Sequence, residues 1–227
     1  MKKLIPVALL ALTACAPKQQ QTAQEINYNV DKFADIEVLR YTVPGFEDLS
    51  LQQKTLIYYL TEAAIAGRDI IWDQNCKYNL PVRDLLENVY KNYSGDENDA
   101  EYKAFVTYLK QVEFANGIHH HYSMDKFTPA FSKEFLAAQA AKLPDEDRPG
   151  NLDELLTVIF DPQVLAKRVN QADGVDLITT SACNLYGGGI TQNEVENFYG
   201  KLKDPKDETP VSYGLNSRLV KNADGTI

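Results

Sequence analysis

Between Ser50 and Gly117 the sequence carries apolar stripes at helical spacing, and these stripes are opened and closed by their own start and stop signals. Such signals commit a chain to helices, because they serve the N–H and C=O groups that a helix end leaves without intrahelical partners. Ser50 and Gln53 form a capping box; Leu56, Leu60, Ala63 and Ala64 then recur on one face, and Gly67 ends the helix. Asn79 is expected to cap a second helix begun by Pro81, with Leu85, Leu86, Val89, Tyr90 and Tyr93 inward. A third places Tyr102, Phe105, Val106, Leu109 and Val112 on one stripe and stops at Gly117.

Ser132 opens a fourth helix that runs out before Pro144, and Asn151 with Glu154 caps a short apolar helix ending near Asp161-Pro162. A further short helix is expected through Arg168. After Gly174 the stretch VDLITTSACNLYGGGIT is β-branched and Gly-rich, and reads as extended chain or turn. Thr191 and Glu194 cap a last helix with Val195 and Phe198 inward. Ser212 to Lys221 is expected to be a strand, and Asn222–Gly225 is a hairpin-turn signal. The expected fold is mainly α with a few C-terminal β-strands, and no internal repeat appears.

The N-terminus supplies an address. Two lysines precede an apolar run from Leu4 to Leu12, followed by Leu12-Thr13-Ala14-Cys15. This is the charged start, short apolar core and small-residue cleavage site of a secretory signal, far too short to span a bilayer. A cysteine directly after Leu-Thr-Ala resembles a bacterial lipobox, which implies cleavage before Cys15 and its lipidation; a chance cysteine after an uncleaved apolar region is the alternative. Residues 1–14 are thus expected to be a signal peptide and residues 15–30 a lipidated cysteine with a polar tether. No Asp and no acidic cluster follow Cys15, which points to an outer-membrane lipoprotein facing the periplasm.

The chain carries 23 basic and 32 acidic side chains, a formal charge of −9. Loss of residues 1–14 would remove Lys2 and Lys3 and make the charge more negative still. With no basic stripe to neutralise phosphates, nucleic acid is excluded as a partner. Beyond Cys15 the cysteines are Cys76 and Cys183, which either form one disulfide in an oxidising compartment or remain two separate buried thiols.

All the histidines stand together at His119, His120 and His121. Consecutive side chains diverge in both helix and strand, and a structural zinc site needs about four ligands. The nearest spare ligands, Glu113 and Asp125, match no such spacing, so a dedicated metal site on these three residues is the lesser reading. The greater one is a loop after a helix, with polar tips hydrogen-bonded or facing a cleft. No histidine is followed by glutamate, which excludes a His-Glu-x-x-His centre. YGGGIT before a capped helix reads as a tight turn, with an anion cradle as the alternative. No catalytic residue is assigned.

Four blocks carry a family likeness: FADIEVLRYTVPGFEDLSLQQKTLIYYLTEAAIAGRDIIWDQN, NGIHHHYSMDKFTPAFS, TTSACNLYGGGITQNEVENFY and SYGLNSRLVK. Together they resemble the N-terminal part of bacterial dipeptidyl peptidase III, over residues 33–221. The resemblance implies a two-lobed α+β zinc exopeptidase that removes dipeptides from peptide N-termini, with the substrate between a β-barrel-containing lobe and a helical catalytic lobe. Residues 31–227 would then be an incomplete first lobe. In that family zinc is held by His-Glu-x-x-Gly-His and a second glutamate motif, neither of which this sequence contains. The resemblance therefore implies no cofactor in this chain, no activity in isolation, and peptide binding only together with the catalytic lobe. It also implies that His120, Lys126, Phe127, Asn216 and Arg218 border the substrate cleft. A different class of reading is a self-sufficient helical lipoprotein that captures peptides or glycans.

Overall fold

The computed structural model describes residues 27–206 and 218–227; the expected signal segment, Cys15, most of the tether and Asn216 lie outside the described residues. Strands β1 (Asn29–Phe33) and β2 (Ile36–Leu39) form an antiparallel hairpin in which Phe33 faces Ile36 and Lys32 faces Glu37. Its two-residue turn is Ala34-Asp35, with Ala34 at φ +47°. Lacking the Asn or Gly that usually accepts this conformation, the turn left no signal in the sequence. Ile36 is buried, and an ion pair of 2.6 Å from Lys110 to Asp31 holds the hairpin against the helical body. The hairpin takes in Asn29 and Val30, so ordered chain begins inside the span expected of the tether.

The helices are α1 (Leu51–Ala66), α2 (Asp69–Asn75), α3 (Asn79–Asn92), α4 (Ala100–Ala115), α5 (Lys133–Ala140), α6 (Leu152–Phe160) and α7 (Gln192–Leu202). Two expected capping boxes form: Ser50 Oγ accepts from Gln53 N–H while Gln53 Oε1 accepts from Ser50 N–H, and Thr191 and Glu194 do the same for α7; Asn151, expected to cap α6, makes no cap hydrogen bond and its side chain donates to Glu154 instead. Ser132 Oγ likewise accepts from Phe135 N–H at the start of α5.

The core lies where α3 to α6 pack together. Val82, Leu85, Leu86 and Val89 of α3 and Phe105, Leu109 and Val112 of α4 recur at three- and four-residue intervals and meet Leu136, Leu155 and Ile159. Burying one such aliphatic side chain contributes about 1.5–3 kcal/mol. Phe131 joins the layers, its ring edge-on to Phe105 and Tyr108 at 5.6 Å and to Phe160 at 5.5 Å.

Several expectations are corrected. Helix α1 has the expected ends but buries no residue: Leu56 is 58% and Leu60 60% exposed. Its apolar residues include the unbroken run Leu56-Ile57-Tyr58-Tyr59-Leu60, which surrounds the helix and selects no single face. Asp69–Asn75 forms a helix that no capping signal announced. Pro162–Leu165 is a turn, because α6 ends at Phe160 with Asp161 as its C-cap and Leu165 takes φ +52°. Tyr90 lies half exposed. Of the expected strand Ser212–Lys221, residues 212–217 lie outside the described residues. Leu219 makes only an isolated bridge with Tyr186, and the turn signal closes on itself, with Asn222 N–H donating to Thr226 O.

Asn79, expected as a cap, is instead the buried joint of the fold. Its Nδ2 donates to Trp72 O at 3.0 Å and Asn116 O at 3.4 Å, and its Oδ1 accepts from Ile118 N–H at 3.1 Å. Asn116 ends α4 in the left-handed region at φ +52°, and Gly117 follows at φ +146°. A Cβ on Gly117 would stand 2.2 Å from Asn79 Nδ2. Gly117→Ala is therefore expected to cost about 3 kcal/mol in urea unfolding, from backbone strain and displacement of Asn79 together. Gly150→Ala, where the added methyl meets nothing within 4 Å, should stay within about 0.5 kcal/mol of wild type.

Candidate functional site

The histidine segment is a tight double-back hung from that joint. After Ile118 the chain reverses through residues 121–124 and returns beside itself: Phe127 N–H donates to Ile118 O at 2.9 Å and His120 N–H to Asp125 O at 2.8 Å. Met124, at φ +65°, sits in the bend. A further stretch lies alongside, with Lys126 N–H donating to Ala166 O at 3.0 Å and Arg168 N–H to Met124 O at 2.8 Å. The ion pair of Lys167 with Asp125, 2.5 Å, closes the same edge.

This backbone gives the three histidines different chemistry. His119 is 1% exposed; its Nε2–H donates to Leu165 O at 2.7 Å, while Nδ1 is buried without a partner. Burial pushes its pKa from 6.5 down to about 4; the Leu165 bond opposes the shift, and the charges of Lys126 and Arg168 add to it. His120 accepts at Nδ1 from the N–H groups of Tyr122 and Ser123, which places its proton on Nε2, 3.4 Å from Asp35 in the hairpin turn. His121 stacks on His120 at 4.6 Å and meets Phe114 edge-on at 5.1 Å. Desolvation first, then His120, lowers its pKa.

His119 Nε2 and His120 Nδ1 already have backbone partners, and among the described residues no three His, Cys, Asp or Glu side chains are grouped to hold an ion. The arrangement suits polar anchoring of a loop.

The residues assigned to the cleft by resemblance fall in two places. His120, Lys126 and Phe127 share the histidine loop. Lys126 extends to the end of α6, where its ammonium donates to Val158 O at 2.9 Å, to Val164 O at 2.5 Å and to Asp161 O. It thus neutralises the negative helix end and fills the carbonyls left over there. Phe127 is buried in the core at 8% exposure. Arg218 lies elsewhere, donating to Tyr186 O at 3.3 Å. It borders a cavity of about 370 Å³ with Cys76, Lys77, Cys183, Asn184 and the Gly187–Gly189 turn. No motif announced this cavity; the Gly run was its only sign in the sequence. The run is a turn, as expected, with Ile190 N–H donating to Gly187 O and Gly187 N–H to Leu219 O.

No model of a known protein family matches the chain, and no curated protein matches it significantly. Among the described residues, no helix is long and apolar enough to cross a membrane.

Two consequences are measurable. Lys126→Met leaves the α6 carbonyls without donors and is expected to cost about 3 kcal/mol of stability. For His119, the folded pKa lies below the unfolded one, so its contribution to stability is complete above pH 6.5 and is lost as the pH falls toward 4. Between pH 7 and about 4.5, wild type should lose about 2.5 kcal/mol more than His119→Gln in denaturant titrations.

Proposed function

We propose that the chain is part of the first lobe of a zinc-dependent dipeptidyl peptidase III-like exopeptidase, held on the outer membrane and facing the periplasm through a lipid on Cys15. The observation that carries this reading is the apolar surface of α1 and α2. Leu56, Ile57, Tyr58, Tyr59, Leu60, Ile65, Ile70 and Ile71 are all exposed, on helices that bury only Trp72. A helix apolar on all sides belongs inside a larger body, and a lobe that packs against further polypeptide presents such a surface. The ordered blocks of resemblance, which include this helix, support taking that body to be the rest of a dipeptidyl peptidase III-like enzyme.

On this reading the zinc and the activated water belong to the catalytic lobe, since the sequence lacks His-Glu-x-x-Gly-His. The present chain supplies one wall of the peptide cleft, and its acidic charge leaves nucleic acid outside its partners. Exposed Tyr41, Tyr58, Tyr59 and Tyr122 favour the second reading, a self-sufficient binder of peptides or glycans.

The purified chain with added zinc is expected to leave dipeptidyl arylamides uncleaved. A tagged copy co-expressed with a polypeptide carrying the His-Glu-x-x-Gly-His lobe should retain it and recover cleavage. Stoichiometric zinc binding with cleavage by the chain alone would overturn the inactivity. Failure of the two polypeptides to associate, with saturable peptide or glycan binding by the chain alone, would favour the second reading.

A further inference from the structure

The segment from Ala182 to Asn184 is an arm laid across the junction of α2 and α3. Asn184 N–H donates to Gln74 O at 2.9 Å, and Asn184 Nδ2 to Asp73 Oδ1 at 3.0 Å. On its other side, Ala182 and Cys183 N–H donate to Arg168 O at 3.1 and 3.2 Å. This brings Cys183 to the same cavity as Cys76, which follows directly on α2. Cys76 is fully buried and Cys183 partly so, and both are free thiols. Burial raises both thiol pKa values, and the neighbouring Cys183 is among the groups that raise that of Cys76.

We propose that Cys76 and Cys183 are a disulfide site, whose bond ties the arm and the Gly187–Gly189 turn to the start of α3. The inference is independent of the peptidase reading. The oxidant is a small-molecule or protein disulfide of the kind met by secreted chains. Cys183, the more accessible thiol, loses its proton and attacks one sulfur of that disulfide, whose S–S bond breaks to release one thiol. Cys76 then loses its proton and attacks the Cys183 sulfur of the mixed disulfide, forming the Cys76–Cys183 bond and releasing the second thiol. The two thiol protons end on the two released thiolates, and the oxidant has taken two electrons.

A thiol in apolar surroundings is ordinarily inert, because the thiolate is the nucleophile. Here the raised pKa values make exchange slow at neutral pH and faster as pH rises. The bond encloses the α3–α6 core within the loop it closes, so it restricts the unfolded chain strongly.

The full chain would be equilibrated with oxidised glutathione, alkylated, and mapped by non-reducing peptide mass spectrometry. The expected result is one cross-linked pair, the Cys76 peptide with the Cys183 peptide, lighter by about 2 Da than the two thiol peptides together. The thermal midpoint should rise by roughly 10 °C over the chain kept in reductant. Cys183→Ser should show neither the cross-link nor the rise, and should melt with the reduced wild type. Complete alkylation of Cys76 and Cys183 after oxidation would overturn the proposal. So would pairing of either one with Cys15 or with a second chain.

Discussion

The fold depends on one buried carboxamide. Asn79 has both of its polar atoms engaged, and its partners come from the end of α2, from the residue that stops α4 and from the residue that begins the histidine loop. All three partners are backbone groups, and leaving a buried polar group without its bond costs about 1–3 kcal/mol. The carboxamide therefore ties α2, the stop of α4 and the start of the histidine loop to one another. Gly117 is the other half of the device, since its lack of a side chain lets the α4 stop lie directly on Asn79.

From that joint the polar features follow in order. Ile118 is fixed by Asn79, His119 by Leu165 O, and Lys126 by the end of α6. A helix end and a loop reversal thus consume polar groups that a list of residues would offer to a ligand. What distinguishes the histidines is the backbone around each: one is buried and neutral, one is the acceptor at the centre of a turn, and one is stacked between His120 and Phe114. The cavity beside Arg218 lies apart from them and is framed by the arm that carries Cys183.

Several helix starts were legible because a capping side chain acts on its own neighbours, although Asp99, which caps α4 in the same way, was not read. Ser50, Ser132 and Thr191 cap in this way, and the three helices they open stand as expected. Interactions between distant segments were not legible. Asn79 has the sequence appearance of a cap because Asn, then Pro81, is a helix-start signature; its side chain nevertheless turns to groups 37 and 39 residues away. The hairpin turn at Ala34-Asp35 carries no turn residue, so only pairing of its flanking strands reveals it. Of the site, the histidine loop was visible as a loop after a stop signal. The cavity was not, since its walls come from Cys76 and Lys77 after α2, from the arm with the Gly187–Gly189 turn, and from Arg218.

By itself the sequence determined the caps that open α1, α5 and α7, the apolar stripes of α3 and α4, and a net acidic charge. These depend on periodicity, charge and neighbouring residues, which a single chain displays directly. The tertiary structure decided which apolar residues are covered. It buried the one-sided stripes of α3 and α4 but left Leu56 to Leu60 of α1 in the open. It also decided that Lys126 serves a helix end and that Cys76 and Cys183 share a cavity. Such outcomes depend on which remote surfaces meet, and burial is a property of the pair, not of either segment alone.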